Sequence, residues 1–307
     1  MYHYVRDTKK TAFPEIKALS ITDFEHQLHW FQERFTVLSY SQFETALSER
    51  KVFDIPTALL TFDDGFSDHA ETVAPLLASR GLSGVFFLVE ATLDPKPLLL
   101  NVHKTHFLLA RLGADSFDAA VRSELSSLDA LPSDVSKREN LYRYDAGKDG
   151  DIKRLLNYEL PFQVADAVLD TIFRRHLGDP VDFARSLYLS SDQIRSMAAQ
   201  GMTFGGHTKT HRVLSRLDAN DQRSELSTGA ETIRKLTGQS SVPFCYPYGH
   251  SQTYTEETIE ILKESGYSSA FATTRSGVDF LTADAYRIPR YDTKDLPPFV
   301  QAFTPYA

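Results

Sequence analysis

The sequence predicts an α/β protein built on a parallel sheet or barrel that is interrupted by a helical insertion. In residues 1–95, strand-like apolar runs alternate with amphipathic helical segments, and the same alternation returns after about residue 187. The stretch between them, at about residues 95–186, shows helical patterns and no convincing strand. We therefore expect one domain over residues 1–307 that carries a helical insertion at about 95–186.

The bulk composition narrows the class of protein. The chain has 307 residues with 42% hydrophobic and 24% charged, which is typical of a globular fold. Its net charge of −8 predicts no general attraction to nucleic acid, and no apolar stretch is long enough for a membrane span. Residues 1–6 lack the apolar core of a signal peptide, and Cys245 is the only cysteine, so we expect a cytoplasmic protein without disulfides. The oligomeric state has no sequence signal.

The first alternating stretch contains two predicted helices between predicted strands. One helix is expected over residues 21–35, where apolar residues recur at helical spacing and Thr22 is a candidate N-cap. A second is expected over residues 68–79 and ends ahead of Gly81. Apolar, β-branched and aromatic runs predict strands at residues 1–5, 36–39, 58–62 and 84–89.

The remaining elements are predicted in the same way. Helical patterns in the insertion cover residues 102–112, 117–128 and 164–177. After the insertion, Ser191 is a candidate cap for the next helix and Gly238 ends a long one. Helices are predicted there at residues 192–200, 219–236 and 255–264, and strands at residues 202–204, 243–246 and 269–273.

Two polar clusters that are far apart in the sequence each follow a predicted strand. Asp63 and Asp64 stand between an apolar run and Gly65, and His207 and His211 follow the other strand. Alone, Asp-Asp-Gly is typical of a turn, and two histidines are typical of a surface. Because the carboxyl ends of barrel strands converge, we expect the four side chains in one pocket, with both histidines on one face of a helical turn. Two histidines and one aspartate suit a divalent metal, and a second, free aspartate indicates a hydrolase.

A third segment, Phe-Cys-Tyr-Pro-Tyr-Gly at residues 244–249, also lies at a strand end. Its turn has the geometry to aim a backbone N–H into the pocket as a donor to an oxyanion. Pro-Tyr-Gly is common in turns, so this segment alone is a weak signal.

Taken in this order, Thr-Phe-Asp-Asp-Gly, His-Thr-x-Thr-His and Tyr-Pro-Tyr-Gly resemble the motifs of the polysaccharide deacetylases, the NodB-type carbohydrate esterase family 4. The resemblance covers roughly residues 1–95 and 187–295. It implies a distorted (β/α)7 barrel, and therefore a single deacetylase-like catalytic domain with a helical insertion. The family removes N-acetyl groups from sugars with a bound divalent metal, usually Zn²⁺.

The resemblance also implies a role for each motif residue. Asp64, His207 and His211 would hold the metal, and Asp63 would be the general base. The backbone N–H of Tyr248 would help to stabilise the oxyanion.

This sequence departs from the family pattern at three places. Cys245 stands where the family commonly has an arginine that pairs with the base and lowers its pKa. Two outcomes stay open: Asp63 is less acidic, or another cation takes the role, with Arg290 and Arg287 as candidates. The Asp-Trp pair is absent, since the sole tryptophan is Trp30, and so is the Leu-x-His motif that supplies the general acid. Residues 1–5 resemble the first strand of the subgroup that includes poly-N-acetylglucosamine deacetylases, which implies that His3 is the acid; a strand histidine with only a structural contact is the alternative.

Further residues near the motifs are expected to bind substrate: Tyr246, Pro247, His250 and Arg290. For Arg290 a structural ion pair is an equal alternative. His69 is expected at the polar rim of the site.

The expected function is a metal-dependent deacetylase that hydrolyses the N-acetyl group of an amino sugar in surface polysaccharide or glycoconjugate biosynthesis. Its partner would be an N-acylated sugar that is nucleotide-linked, lipid-linked or an oligosaccharide. Two alternatives stay open at this point: a metal hydrolase of another small amide, N-formyl or cyclic, and a non-catalytic sugar-binding relative.

Overall fold

The computed structural model describes residues 1–93, 95–130, 145, 147–301 and 303. The chain divides into two compact units. The first unit comprises Met1–Arg6, Ala18–Pro95 and Leu187–Ala307, and the second comprises Asp7–Lys17 and Lys96–Ser186. The second unit takes in the stretch where an insertion was predicted and adds residues 7–17. The single catalytic domain stays a prediction.

The strands of the first unit are short and parallel. They are β1 (Thr36–Val37), β2 (Thr57–Ala58), β3 (Thr61–Phe62), β4 (Val85–Leu88), β5 (Thr203–Gly206), β6 (Pro243–Cys245) and β7 (Ser269–Phe271). β1 pairs with β2, and the other five form a curled sheet in the order β3-β4-β5-β6-β7. With helices between the successive strands of the five-stranded sheet, this is the distorted (β/α) barrel that the sequence predicts, and the fold class is confirmed.

Helices occur in both units. They are α1 (Ile21–Arg34), α2 (Tyr40–Ser48), α3 (Ala74–Ala78), α4 (Asn101–Ser127), α5 (Lys148–Arg154), α6 (Phe162–Leu177), α7 (Pro180–Leu187), α8 (Ser191–Ala199), α9 (Ala219–Leu226), α10 (Gly229–Thr237) and α11 (Glu256–Glu264). A π turn at His69–Val73 precedes α3, so the helix predicted over residues 68–79 is mixed. Within the described part of the chain, no helix is both long and apolar enough to cross a membrane.

Several helix ends differ from their predicted positions. Ser20, not Thr22, caps α1, because its side chain accepts the backbone N–H of Asp23. Ser190, not Ser191, caps α8 through a reciprocal capping box.

The long helix predicted over residues 219–236 is two helices, since α9 ends before Ser227 and α10 starts at Gly229. A Cβ at Gly229 would lie 2.5 Å from the Tyr267 hydroxyl, so the backbone passes close to a neighbouring side chain there. Gly238 ends α10 in the left-handed conformation, as predicted.

The sheet of the first unit is apolar on both faces, as a parallel sheet covered on both sides requires. Phe62 and Phe86 stack at 4.7 Å between ring centroids and pack with helix side chains on one face. Phe87 and Cys245 belong to the cluster on the other face. Asp63 follows Phe62 in the chain and contacts Cys245, so it points to this second face.

The N-terminal segment lies along the edge of this sheet beside β3. Residues 1–5 form isolated bridges rather than the predicted strand, one between Tyr2 and Phe62 and one between Val5 and Leu19. Tyr2 N–H donates to the Thr61 carbonyl at 2.8 Å, and its own carbonyl accepts from Asp63 N–H at 2.9 Å. These contacts bring residues 2–5 next to the first polar motif.

The second unit is helical in its described residues, in agreement with the predicted absence of strands there. Gly113 has φ of 74° and interrupts α4 between the two helical patterns seen in the sequence. The helices α5 and α7 were not predicted. Within this unit, Asp145 links the helical stretch to residues 7–17, because its carboxylate accepts hydrogen bonds from Lys153 at 2.5 Å and from Lys17 at 2.6 Å.

Candidate active site

Three side chains from two of the predicted motifs meet at the carboxyl ends of β3 and β5. The Nε2 atoms of His207 and His211 each lie 3.5 Å from Oδ1 of Asp64. All three residues are buried, and their ligand atoms lie within 4.8 Å of one another. Two imidazole nitrogens and one carboxylate at this separation fit a divalent metal of the zinc type and leave positions open for other ligands.

The backbone of this cluster adopts a conformation that non-glycine residues rarely take. Asp64, Thr208 and His211 have φ of 74°, 64° and 61°. Such strain is typical of functional sites, where the surrounding structure enforces it. The segment from His207 to His211 is therefore a loop, and the expectation of a helical turn is wrong.

Hydrogen bonds to neighbouring elements hold the two histidines. His207 Nδ1 donates to the Cys245 carbonyl at 2.6 Å, which leaves Nε2 for the cluster. Glu225 in α9 accepts the backbone N–H groups of Lys209 at 3.1 Å and Thr210 at 2.8 Å. Burial lowers the pKa of His207 despite the two nearby aspartates, and a neutral imidazole is the form that binds metal.

Asp63 faces the same pocket and is held by Arg290. The Arg290 Nη1 and Nη2 atoms donate to the two carboxylate oxygens at 2.8 and 3.0 Å, and Nη1 also reaches Thr61 Oγ1 at 3.2 Å. Burial opposes ionisation of Asp63, but the Arg290 guanidinium and His3 outweigh it and hold the pKa of this carboxyl well below its usual range. Asp63 is therefore an ionised carboxylate at neutral pH.

Of the two arginines proposed to replace the motif arginine, the structure brings only Arg290 to Asp63. Arg287 instead pairs with Glu256 and Asp284 and is partly exposed. Arg290 is buried and its Nε donates to the Ala272 carbonyl at 3.1 Å.

Cys245 lies beside this ion pair, with Arg290 Nη2 2.9 Å from its Sγ atom. It also forms a second group of possible metal ligands with Asp63 and His207. A cation in that group would face the guanidinium, and Asp63 already uses both oxygens on Arg290. Burial raises the pKa of the Cys245 thiol, which disfavours the thiolate that a metal needs. The Asp64 group is the better metal site.

His3 reaches the pocket from the N-terminal edge segment. Its Nε2 atom lies 3.8 Å from Oδ2 of Asp63, and its side chain is 42% exposed. The ring is thus partly open to solvent and lies beside the carboxylate of Asp63.

The third motif reaches the site through the ring of Tyr248. Tyr248 has φ of 63°, and its ring packs against His211 at 5.1 Å between centroids. Pro247 is buried, whereas His250 is half-buried and burial lowers its pKa. The side chain of Tyr246 belongs to the core, because it stacks on Tyr254 and donates to the Tyr286 carbonyl.

The arrangement combines a cluster that could hold a metal, an ionised carboxylate and an imidazole side by side. These are the components of a metal-dependent hydrolase that cleaves amides or esters. The expectation that His69 lies at the polar rim is wrong, because it is fully buried. Sequence reasoning missed Glu225, which supports the histidine loop.

Comparison with known proteins identifies the relatives. The family described as Polysaccharide deacetylase matches residues 168–270, which include the second and third motifs. The protein YxkH of Bacillus subtilis, whose name assigns it provisionally to the polysaccharide deacetylases, is 28% identical over 86 residues, or 28% of this chain and 30% of YxkH. The predicted resemblance to this family is thus confirmed. The matches span less than half of the length of the curated relatives.

Solved structures share the fold over nearly the whole chain. A de-N-acetylase from Aggregatibacter actinomycetemcomitans has a TM-score of 0.57 at 17% identity, with 95% of this chain and 94% of that one covered. The deacetylase PplD of Streptococcus pyogenes, solved in complex with acetate, has a TM-score of 0.54 at 16% identity, with 94% and 90% covered. At these identities the likeness concerns the fold, which is the distorted barrel of the deacetylases.

Proposed function

We propose that this protein is a metal-dependent deacetylase that hydrolyses the N-acetyl group of an amino sugar. The observation that carries the proposal is the buried cluster of Asp64, His207 and His211 beside a separately held carboxylate, Asp63. A site that only binds sugar has no need of an ionised base next to a metal cluster. The names of two structural neighbours, a deacetylase with acetate and a de-N-acetylase, support the acetamide as the bond that is cleaved.

Asp64, His207 and His211 would hold the metal, which we propose is Zn²⁺ because two imidazoles and one carboxylate are ligands that it prefers. When bound, the metal supplies a Lewis acid that makes water more acidic and an amide carbonyl more electrophilic.

Asp63 takes the proton of the attacking water, because it is ionised and faces the pocket. Arg290 fixes the direction of both carboxylate oxygens, so the base does not need to reorient. Because Arg290 lowers the pKa of Asp63, the carboxylate is ionised and able to accept a proton at neutral pH, but it is a weaker base than an ordinary aspartate.

The backbone N–H of Tyr248 stabilises the negative oxygen of the tetrahedral intermediate. His3, when protonated, gives its proton to the departing amine, which is a poor leaving group as an anion. Its Nε2 lies close to Asp63 and its ring is open to the entering substrate. Pro247, His250 and the backbone of Tyr246 would line the sugar subsite.

The substrate is an N-acylated sugar in surface polysaccharide or glycoconjugate biosynthesis, whether nucleotide-linked, lipid-linked or an oligosaccharide. A location in the cytoplasm stays a prediction from the sequence.

The test is the release of acetate and of formate from a panel of N-acetylated and N-formylated amino sugars, together with metal analysis of the same protein. We expect acetate release by the wild type, loss of most activity with bound metal in Asp63→Asn, and loss of activity and metal in His207→Ala. His29→Ala on the exposed face of α1 is the matched control. Formate release alone would support the N-formyl alternative, and bound metal without any hydrolysis would support a sugar-binding relative.

A further inference from the structure

His69 occupies an unusual place for a histidine, because it is completely buried among aromatic side chains. The ring centroids of Phe62, Phe66 and Phe86 lie 5.7, 5.7 and 5.4 Å from that of His69. An apolar ring would fill this space without losing any hydration. An imidazole here therefore indicates a specific polar contact.

That contact is with the backbone of the proposed acid. His69 Nε2 lies 3.0 Å from the carbonyl oxygen of His3, whereas Nδ1 is buried and has no hydrogen-bond partner in the described part of the chain. Since a carbonyl can only accept, Nε2 carries a proton. A second proton on the buried Nδ1 would have no acceptor among the described residues, so the ring is neutral. Burial lowers the pKa of His69, in agreement with this assignment.

The residue next to His69 holds the same segment. Oδ2 of Asp68 accepts the backbone N–H of Val5 at 3.2 Å and Nε of Arg6 at 2.7 Å. Asp68 precedes the π turn at His69–Val73, and His69 is its first residue. Such a local change of helix geometry is frequent at functional sites. Together they tie residues 3–6 to the element that follows the Asp-Asp-Gly motif.

Within the part of the chain that the structure describes, the ring of His3 makes no close polar side-chain contact that would fix its position beside Asp63. Its Nε2 is 3.8 Å from Asp63 Oδ2, which is longer than a hydrogen bond, and much of the ring is exposed. The position of the ring is therefore set by the backbone that carries it.

We propose that His69 is a positioning residue, whose Nε2–H holds the His3 carbonyl and so fixes the His3 ring beside Asp63. The inference rests on the proposed function, which assigns proton transfer to His3. It adds a residue outside the motifs that acts through another residue and touches neither substrate nor metal.

The test compares His69→Phe, which keeps an aromatic ring but no donor, with His69→Gln, whose amide N–H can reach the same carbonyl. His29→Phe on the surface is the control. We expect kcat to fall about 10- to 100-fold in His69→Phe, as for a catalytic group displaced by about 1 Å, with KM and metal content unchanged. His69→Gln should recover most of kcat. Unchanged kcat in folded His69→Phe would overturn the proposal.

A second measurement separates this inference from the proposed function. The rate at which diethylpyrocarbonate modifies His3, followed by mass spectrometry of the N-terminal peptide, needs no substrate. We expect a faster rate in His69→Phe and the wild-type rate in His69→Gln and His29→Phe. Equal rates in wild type and His69→Phe overturn the positioning role even if no substrate is found. If His69→Phe does not fold, His69→Leu, which also lacks a donor, is measured instead: a faster rate than in the wild type supports the role, and an equal rate overturns it.

Discussion

Replacement of Arg290 by methionine tests the ion pair on which the base depends. The substitution removes two charge-assisted hydrogen bonds, at 2.8 and 3.0 Å, from the buried carboxylate of Asp63 and leaves a side chain of similar length. Removing one partner of a buried pair leaves an uncompensated charge and costs about 3–5 kcal/mol. A disturbed base should also lower kcat by about 100-fold.

The loss of stability should depend on pH in a definite direction. In the wild type the pKa of Asp63 is below the ordinary 3.8, so its ionised form stabilises the fold above that pH and this contribution is lost as the pH falls through the depressed pKa. In Arg290→Met, the strongest opposition to burial is removed and only weaker attractions, such as that of His3, remain, so the pKa of Asp63 rises above its wild-type value and the carboxylate destabilises the fold at neutral pH. The difference between the two proteins is therefore largest at pH 7 and shrinks as the pH falls through 3.8.

The assay is the free energy of unfolding in urea at a series of pH values, followed by the fluorescence of Trp30, the only tryptophan. Arg287→Met is the matched control, since Arg287 forms surface pairs that contribute about 0–1 kcal/mol. In the Asp63→Asn background the cost of Arg290→Met should be much smaller. A loss equal to that of Arg287→Met, or one independent of pH and of Asp63, would refute the reasoning.

Three further predictions concern other parts of the structure. Gly205→Ala should destabilise the protein by about 1–3 kcal/mol by overpacking, because a Cβ there would lie 2.5 Å from the Phe87 ring. Gly201→Ala is the control, since its surroundings are open and only its φ of 87° is unfavourable; it therefore measures backbone strain without crowding. Asp145→Asn should lower the free energy of unfolding by about 1 kcal/mol at pH 7, because Lys153 and Lys17 outweigh burial and lower the pKa of Asp145 to about 2. The difference in stability between wild type and variant should vanish as the pH falls from 3.8 toward 2. Zinc at 100 times its Kd should stabilise the wild type by about 2.7 kcal/mol in thermal unfolding and leave His211→Ala unchanged.

The parts of the site that the sequence predicts are those whose residues follow strands directly. Asp63 and Asp64 come after β3, and His207 comes after β5, so the convergence of parallel strands brings them together. The loop between His207 and His211 could not be predicted, because positive φ at Thr208 and His211 depends on tertiary contacts such as those of Glu225.

The rest of the site depends on pairs that are distant in sequence. Arg290 binds Asp63 across 227 residues and His69 binds His3 across 66, and no local pattern marks either pair. The family motif has an arginine beside the base that this chain lacks, so the sequence indicated that another cation could pair with Asp63. Arg287 and Arg290 were the candidates, and the sequence did not decide between them. His69 carried no such signal, because a histidine near a polar motif is usually at its rim.

The central claim is that Asp64, His207 and His211 hold the metal while Asp63 stays free for proton transfer. The most direct measurement is an anomalous difference map, at the zinc absorption edge, from a crystal of the zinc-loaded protein. The account predicts one peak between the Asp64 carboxylate and the Nε2 atoms of His207 and His211, with Asp63 still on Arg290. A peak among Asp63, His207 and Cys245, or no peak at this cluster, would contradict it.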